Sequence, residues 1–148
     1  MYELKIDVED LLKLSNQVCF PIYSLSREII NMYRPLLAKL DLTYPQYLVM
    51  MVLWEKNFLN IGQIGQQLHL DTGTLTPLLK RLEGKELIIR QRSSIDERIV
   101  EIFLTEKGKA LQATATCVPL QMLDTINLST DEILQLRQII NKILNTIY

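Results

Sequence analysis

The stretch that most constrains this chain runs from residue 60 to residue 108: NIGQIGQQLHLDTGTLTPLLKRLEGKELIIRQRSSIDERIVEIFLTEKG. It reads as a helix, a tight turn, a second helix and two short strands joined by a charged tip. Asn60 can cap the first helix, whose apolar positions Ile61, Ile64 and Leu68 fall at helical spacing and leave Gln63, Gln66 and Gln67 for solvent. His69 and Leu70 carry the turn. Asp71 then offers its carboxylate to the free N–H groups of the second helix. That helix buries Leu75, Leu78, Leu79 and Leu82 and presents Thr72, Thr74, Thr76, Lys80 and Arg81 on its other side. Short hydroxyls near the N-terminal end suit base edges, and cations further along suit phosphates. Pro77 lies inside this segment, so the helix either starts nearer Thr74 or bends.

Gly84 loosens the end of the second helix. Leu87, Ile88 and Ile89 form one β-favouring run, and Ile99, Val100, Ile102 and Leu104 form another. Arg90, Arg92 and Arg98 bracket the tip between them. A helix pair followed by two strands and a cationic tip describes a winged helix-turn-helix. The competing reading is a solvated charged hairpin on an unrelated α+β domain.

On the N-terminal side, Val8, Leu11, Leu12 and Leu14 begin an amphipathic helix that continues to about Leu40 with an interruption at Pro21, which puts Cys19 at a helix irregularity. Pro35 marks a second bend. Thr43 can cap the next helix, with Pro45 in its first turn, and Tyr47, Leu48, Met51, Val52 and Trp54 make it a buried apolar strut. After the wing, a helix from Thr105 and Glu106 runs toward Met122 and contains Cys117 and Pro119. Ser129 and Glu132 form a capping box for a last helix, whose apolar stripe is Ile133, Leu136, Ile140, Ile143, Leu144 and Ile147. That stripe packs either on its own domain or on a second subunit.

With 48% hydrophobic residues, 5 Gly and 5 Pro in 148, the chain has enough apolar content for one domain and a surplus for an interface. Net charge is -1. Between Asp71 and Val100, Lys80, Arg81, Lys85, Arg90, Arg92 and Arg98 nearly balance Asp71, Glu83, Glu86, Asp96 and Glu97. DNA affinity must therefore come from where cations stand, not from excess charge. No signal-peptide pattern or bilayer-length apolar run is present, so a cytoplasmic location without membrane association is expected. With 2 Cys and His69 as the only histidine, neither a metal site nor another cofactor is expected.

LDTGTLTPLLKRLE followed by DERIVEIFLTEKG closely resembles the MarR family of bacterial transcription regulators. NQVCFPIYSLSR and LTYPQYLVMMVLWE resemble the OhrR-type organic-hydroperoxide sensors within it. The resemblance covers nearly the whole chain. It implies a mostly α, α+β fold: a winged helix-turn-helix at residues 43–108, with helices from residues 1–42 and 109–148 forming a dimerisation domain. It implies a homodimeric repressor on a pseudo-palindromic double-stranded operator, released when Cys19 is oxidised. Tyrosines matching Tyr33 and Tyr44 reach the partner subunit's cysteine in the resembled sensors, and one matching Tyr23 lies close by. Some such sensors close a disulfide with a second cysteine, and others use a low-molecular-weight thiol.

Each candidate site has a plainer alternative. Cys19 can be a small buried hydrophobe, or a thiolate stabilised by a helix N-terminus and by phenolic donors from Tyr23, Tyr33 and Tyr44. Cys117 does not clearly match the second-cysteine pattern and can be an unreactive thiol. His69 reads as a packing or capping residue, and Met50–Met51 as core. On the DNA side, Lys80, Arg81 and Arg90 are expected on phosphates and Arg98 in the minor groove, with Asp96 orienting the Arg98 guanidinium. Two other functions compete. One is a MarR-type repressor induced by a non-covalently bound phenolic or lipophilic ligand. The other is a protein of a different class: a thiol peroxidase, disfavoured because no Cys-x-x-Cys or comparable pair appears, or a pure interaction module that has lost DNA binding, disfavoured by Arg90, Arg98 and the threonine-rich helix.

Overall fold

The structure, a computed structural model, describes residues 10–56 and 58–148. After a 3-10 turn at Leu14–Asn16 come α1 (Cys19–Ala38), α2 (Tyr44–Glu55), β1 (Phe58–Asn60), α3 (Ile61–Leu68) and α4 (Thr72–Gly84). Strands β2 (Ile88–Arg92) and β3 (Val100–Leu104) follow, then α5 (Glu106–Ala115), α6 (Cys117–Ile126) and α7 (Thr130–Ile147). The fold is mostly helical with one small antiparallel sheet, as the sequence implies.

Helix α2 lies at the centre. Its apolar residues cover nearly all of its circumference, and Val49, Met50 and Leu53 are fully buried. They share one core with Leu37 of α1, Ile64 of α3, Leu75, Leu79 and Leu82 of α4, and the strand residues Ile88 and Ile102. Truncating any one of these to alanine costs about 2–5 kcal/mol. The buried polar side chain of Gln46 is satisfied locally, since its Oε1 accepts the Thr43 backbone N–H at 3.0 Å in the α2 capping box.

The other caps follow the sequence. Asn60 Oδ1 accepts from Gln63 N–H at 2.8 Å, while Gln63 Oε1 accepts from Asn60 N–H at 2.9 Å. Asp71 Oδ1 accepts from Thr74 N–H at 2.7 Å. Ser129 and Glu132 close the expected capping box on α7. His69 takes the turn between α3 and α4 in the left-handed region, at φ 53°. Leu75, Leu78, Leu79 and Leu82 are buried as expected.

Several boundaries differ from the sequence reading. Helix α1 begins at Cys19, so Pro21 falls in its first turn, where no backbone bond is lost and no interruption results. The break lies before Cys19 instead. Val8 lies outside the described residues. Pro35 does not end α1, which continues to Ala38. Pro77 likewise sits inside an unbroken α4 that starts at Thr72. Gly84 does not end α4 by its own conformation. Glu86 does, at φ 61°, with Leu87 N–H closing onto Leu82 O at 3.1 Å. The helix after the wing is two helices, parted at Thr116, with Pro119 in the first turn of the second.

The sheet has a third strand that the sequence reading missed. Its order is β1-β3-β2, with Leu59 opposite Ile102 and Arg90 opposite Ile102 on the other side. Phe58 stacks on Phe103 with ring centroids 5.4 Å apart. Three residues are too few to show strand alternation, and these run directly into a helix cap. At the far end, α7 buries no residue. Ile139 and Ile147 are 60% and 64% exposed, and Leu134, Leu136, Ile140 and Ile143 are exposed with them.

Two glycines give opposite expectations. A Cβ on Gly108 would lie 2.0 Å from the Leu87 carbonyl oxygen, whereas one on Gly84 would meet nothing within 4 Å. Gly108→Ala should lower unfolding free energy in urea by about 2 kcal/mol or more, because backbone must move. Gly84→Ala should raise it by up to about 1 kcal/mol. Asp71 gives a pH signature. Bonds from the backbone N–H and hydroxyl of Thr74 hold its carboxyl below the usual carboxylate range. Its stabilising contribution is complete above the unfolded-state value and is lost as pH falls through the lower folded value. The melting-temperature advantage of wild type over Asp71→Ala should persist at neutral pH and shrink below the ordinary carboxylate range. An advantage that grows on acidification would contradict the cap.

Candidate nucleic-acid interface and cysteine site

Helix α4 projects Thr72, Thr74, Lys80 and Arg81 into solvent, and Thr76 is half-buried. The hydroxyls are partly committed. Thr74 Oγ1 donates to Asp71 Oδ2 at 2.8 Å, and Thr76 Oγ1 donates to the Thr72 carbonyl at 2.7 Å. Their oxygens keep acceptor capacity toward an outside donor such as a base amino group. Thr72 and Thr76 line one groove with Arg90 and Arg98, bounded by Asn60 and Gly62 at the start of α3. The structure thus brings four of the predicted residues together at the angle between α4 and the wing. Thr74, Lys80, Arg81 and Asp96 do not line this groove.

Arg90 is more constrained than a surface phosphate contact. Its Nε stands 3.5 Å from Glu83 Oε2, an ion-pair distance too long for a well-formed hydrogen bond. Nε and Nη1 are shielded from solvent and have no hydrogen-bond partner among the described residues. Asp96 corrects the sequence reading. Its Oδ1 accepts from the Arg98 backbone N–H at 3.0 Å, so it shapes the wing turn as an Asx turn instead of gripping the guanidinium. Arg98 itself is exposed at the tip.

Cys19 is the first residue of α1 and is exposed, with the unpaired N–H groups of the helix start nearby. Tyr33 and Tyr44 pack with their rings tilted by 39° and their centroids 4.6 Å apart, and Tyr47 stands 6.0 Å from Tyr33. Burial, followed by the neighbouring phenols, pushes Tyr33 above the usual tyrosine value, and burial alone does so for Tyr44. Both therefore stay protonated donors at neutral pH. Neither hydroxyl makes a hydrogen bond among the described residues. Tyr23 is exposed, with the Arg27 guanidinium 5.6 Å above its ring.

Cys19 and Tyr33 lie on the same helix, fourteen residues and hence about 21 Å apart along its axis. No rotamer closes that gap within one chain. Cys117 is also exposed and is the first residue of α6, with its thiol 3.2 Å from the Thr114 carbonyl. It lies close enough to Tyr47 to raise that phenol's pKa, behind the larger effects of burial and Tyr44. Sequence reasoning placed Tyr47 in the core only. The signal was its position three residues after Tyr44, which puts both rings on one helix face. An apolar groove beside Tyr44 is lined by Ile22, Leu25, Ser26, Ile29, Ile30 and Ile140.

Comparison with known proteins follows the same lines. The family described as Transcriptional regulator SarA/Rot matches residues 31–114. The chain is 46% identical over 139 residues to the organic hydroperoxide resistance transcriptional regulator of Bacillus subtilis, covering 94% of this chain and 95% of that protein. Among solved structures, reduced AbfR bound to DNA superposes with a TM-score of 0.75 at 35% identity, covering 90% of this chain and 94% of that one. Disulfide-formed AbfR superposes with a TM-score of 0.62 at 34% identity, covering 90% and 89%. With a reading helix, a wing and a cysteine at the start of α1 in one chain, the protein belongs to the MarR family of bacterial transcription regulators, among the organic-hydroperoxide regulators of that family.

Proposed function

We propose that this chain works as a homodimeric, DNA-binding repressor that leaves its operator when organic hydroperoxide oxidises Cys19. One observation carries the redox half: the 21 Å, to order of magnitude, between Cys19 and Tyr33 on a single helix. Two half-buried, protonated phenols without an acceptor and an exposed thiol that its own chain cannot bring to them are complementary only across two copies. The uncovered apolar face of α7 supports the same assembly, as does that of α1 around Phe20, Ile22 and Leu25. In this reading residues 43–108 form the reading unit, and residues 1–42 and 109–148 form the dimer frame. It operates in the cytoplasm, where thiols are kept reduced.

The chemistry follows from the site. The thiolate of Cys19 attacks the terminal oxygen of the hydroperoxide, the O–O bond breaks, and the alkoxide leaves as the alcohol after taking a proton. Cys19 is left as a sulfenic acid. A partner copy's Cys19 that reaches Tyr33 and Tyr44 also comes to the side of the fold where Tyr47 lies 6.0 Å from Tyr33. The Cys117 thiol can then attack the sulfenic sulfur, forming an S–S bond and releasing water. A low-molecular-weight thiol can close the same S–S bond to the sulfenic sulfur, with the same loss of water. AbfR, which has been solved in a disulfide-formed state, offers a precedent. The apolar groove beside Tyr44 favours a lipophilic hydroperoxide over hydrogen peroxide.

On DNA, Thr72, Thr74 and Thr76 face base edges, while Lys80, Arg81 and Arg90 hold phosphates. Arg98 enters the minor groove from a wing turn that Asp96 shapes. The two heads read half-sites about 10 base pairs, or a multiple of that, apart. Oxidation shifts the helices that set this spacing. Both half-sites must be engaged together for tight binding, so a shift of a few ångströms releases the operator.

Mobility assays on operator fragments test both halves. Cys19→Ser should bind normally and stay bound under cumene hydroperoxide, whereas Cys117→Ser should still be oxidised but release more slowly. Release of Cys19→Ser at the wild-type rate would replace the redox switch with induction by a non-covalent phenolic or lipophilic ligand. Arg98→Ala should weaken operator binding by roughly 1–3 kcal/mol. Unchanged affinity at physiological salt would remove Arg98 from the interface.

A further inference from the structure

Helix α2 carries more than core. Tyr44, Tyr47 and Trp54 stand at intervals of three and seven residues, which places all three on one face of the helix. The structure shows that face as a line of contacts. Tyr44 packs tilted against Tyr33 at 4.6 Å, Tyr47 lies 6.0 Å from Tyr33, and Trp54 meets Tyr47 edge-on at 6.2 Å. The line ends in a directional bond, since Trp54 Nε1 donates to the Gly108 carbonyl at 2.9 Å.

Gly108 is no ordinary acceptor. It stands in the first turn of α5, and its α-carbon presses so closely on the Leu87 carbonyl that a Cβ would come within 2.0 Å of it. Leu87 is the residue that closes the end of α4, through its N–H to Leu82 O. The same Leu87 carbonyl accepts from Thr105 N–H at 3.1 Å, at the end of the second wing strand. One tryptophan N–H therefore joins the helix that carries the phenols to the backbone junction where recognition helix, wing and α5 meet.

We propose that Trp54 is a positioning residue of the switch: its bond to Gly108 makes movement of Tyr44 and Tyr47 on α2 move the junction at Leu87, and with it α4 and the wing. This rests on the reading of Cys19 oxidation as the trigger. Contact alone does not make coupling, which requires that the two ends bias the same two-state balance. Trp54 touches neither the cysteine nor the face of α4 offered to DNA, so its loss should spare both ends and uncouple them. Trp54→Phe keeps the ring against Tyr47 and removes only the N–H donor.

The experiment compares operator affinity of reduced and cumene-hydroperoxide-treated dimer for wild type, Trp54→Phe and Cys19→Ser, with Cys19 sulfenic acid trapped by dimedone in parallel. Wild type should show a ratio of affinities in the range of about 5- to 150-fold usual for coupled sites. Trp54→Phe should trap dimedone as wild type does and bind in the reduced state with similar affinity, but its ratio should fall toward one. A ratio equal to that of wild type, with Cys19 equally oxidised, overturns the proposal. A wild type that keeps its operator while Cys19 is oxidised overturns the redox reading itself, and the proposal with it. Trp54 is the only tryptophan in the chain, which gives a second measurement on the unmutated protein. Its emission should shift on hydroperoxide addition to DNA-free wild type and stay fixed in Cys19→Ser. An emission that never moves while Cys19 is oxidised contradicts the proposal even if Trp54→Phe fails to fold.

Discussion

The rest of the molecule depends on the burial of α2. A helix with apolar residues nearly all round has no face to give to water, so it must be enclosed. Here it is enclosed by α1, α3, α4, α5 and β3. That single requirement collects the reading helices and the wing around one strut. It also fixes the polar residues that α2 does carry. Gln46 is buried only because its side chain caps its own helix. Burial in that packing also pushes the Tyr33, Tyr44 and Tyr47 phenols further above their usual value.

Much of this was legible in the residues. The helix pair, the buried leucines of α4 and the caps at Thr43, Asn60, Asp71 and Ser129 all act over three or four residues. Local chemistry decides such features. The prolines are legible only in part, for a different reason. Pro21 reads as an interruption and Pro77 leaves the helix start open, because a proline's cost depends on where the helix begins and on what tertiary contacts repay, and neither is local. Pro21 costs nothing once α1 starts at Cys19. Pro77 is tolerated because Leu75, Leu78 and Leu79 bury the same turn of α4 on its inner side. The third strand escaped because Phe58–Asn60 pairs with residues more than forty positions away.

The site divides along the same line. Residue types at α4 and the wing announced DNA, but not how they are held. Asp96 looked like a partner for the Arg98 side chain because opposite charges two residues apart suggest an ion pair. In a tight turn the nearer donor is the backbone N–H, and it wins. Arg90 looked like any exposed cation. The structure shows its Nε and Nη1 screened from water and short of acceptors. A buried donor without a partner costs about 1–3 kcal/mol, more when charged. The Glu83 carboxylate 3.5 Å away offsets part of that cost by its charge.

Cys19 shows why, under the proposed switch, a single chain would be half a site. Its exposure at the first residue of α1 would be unremarkable for a surface thiol, and the packed, half-buried phenols would be unremarkable at a core edge. Helix geometry separates them by about 21 Å along one rigid axis, and no side-chain motion closes that distance. Folding of the monomer completes the helix pair and the wing; under the proposed switch the sensing chemistry would wait for assembly. Coupling the two would then require a rigid route from the dimer frame to the recognition helix. Such a route would cross α2, which carries Tyr44 and Tyr47 and packs against α1 as well as α4 and β3. The apolar face buried for folding would, for that reason, also be the face along which a change at the cysteine reaches DNA.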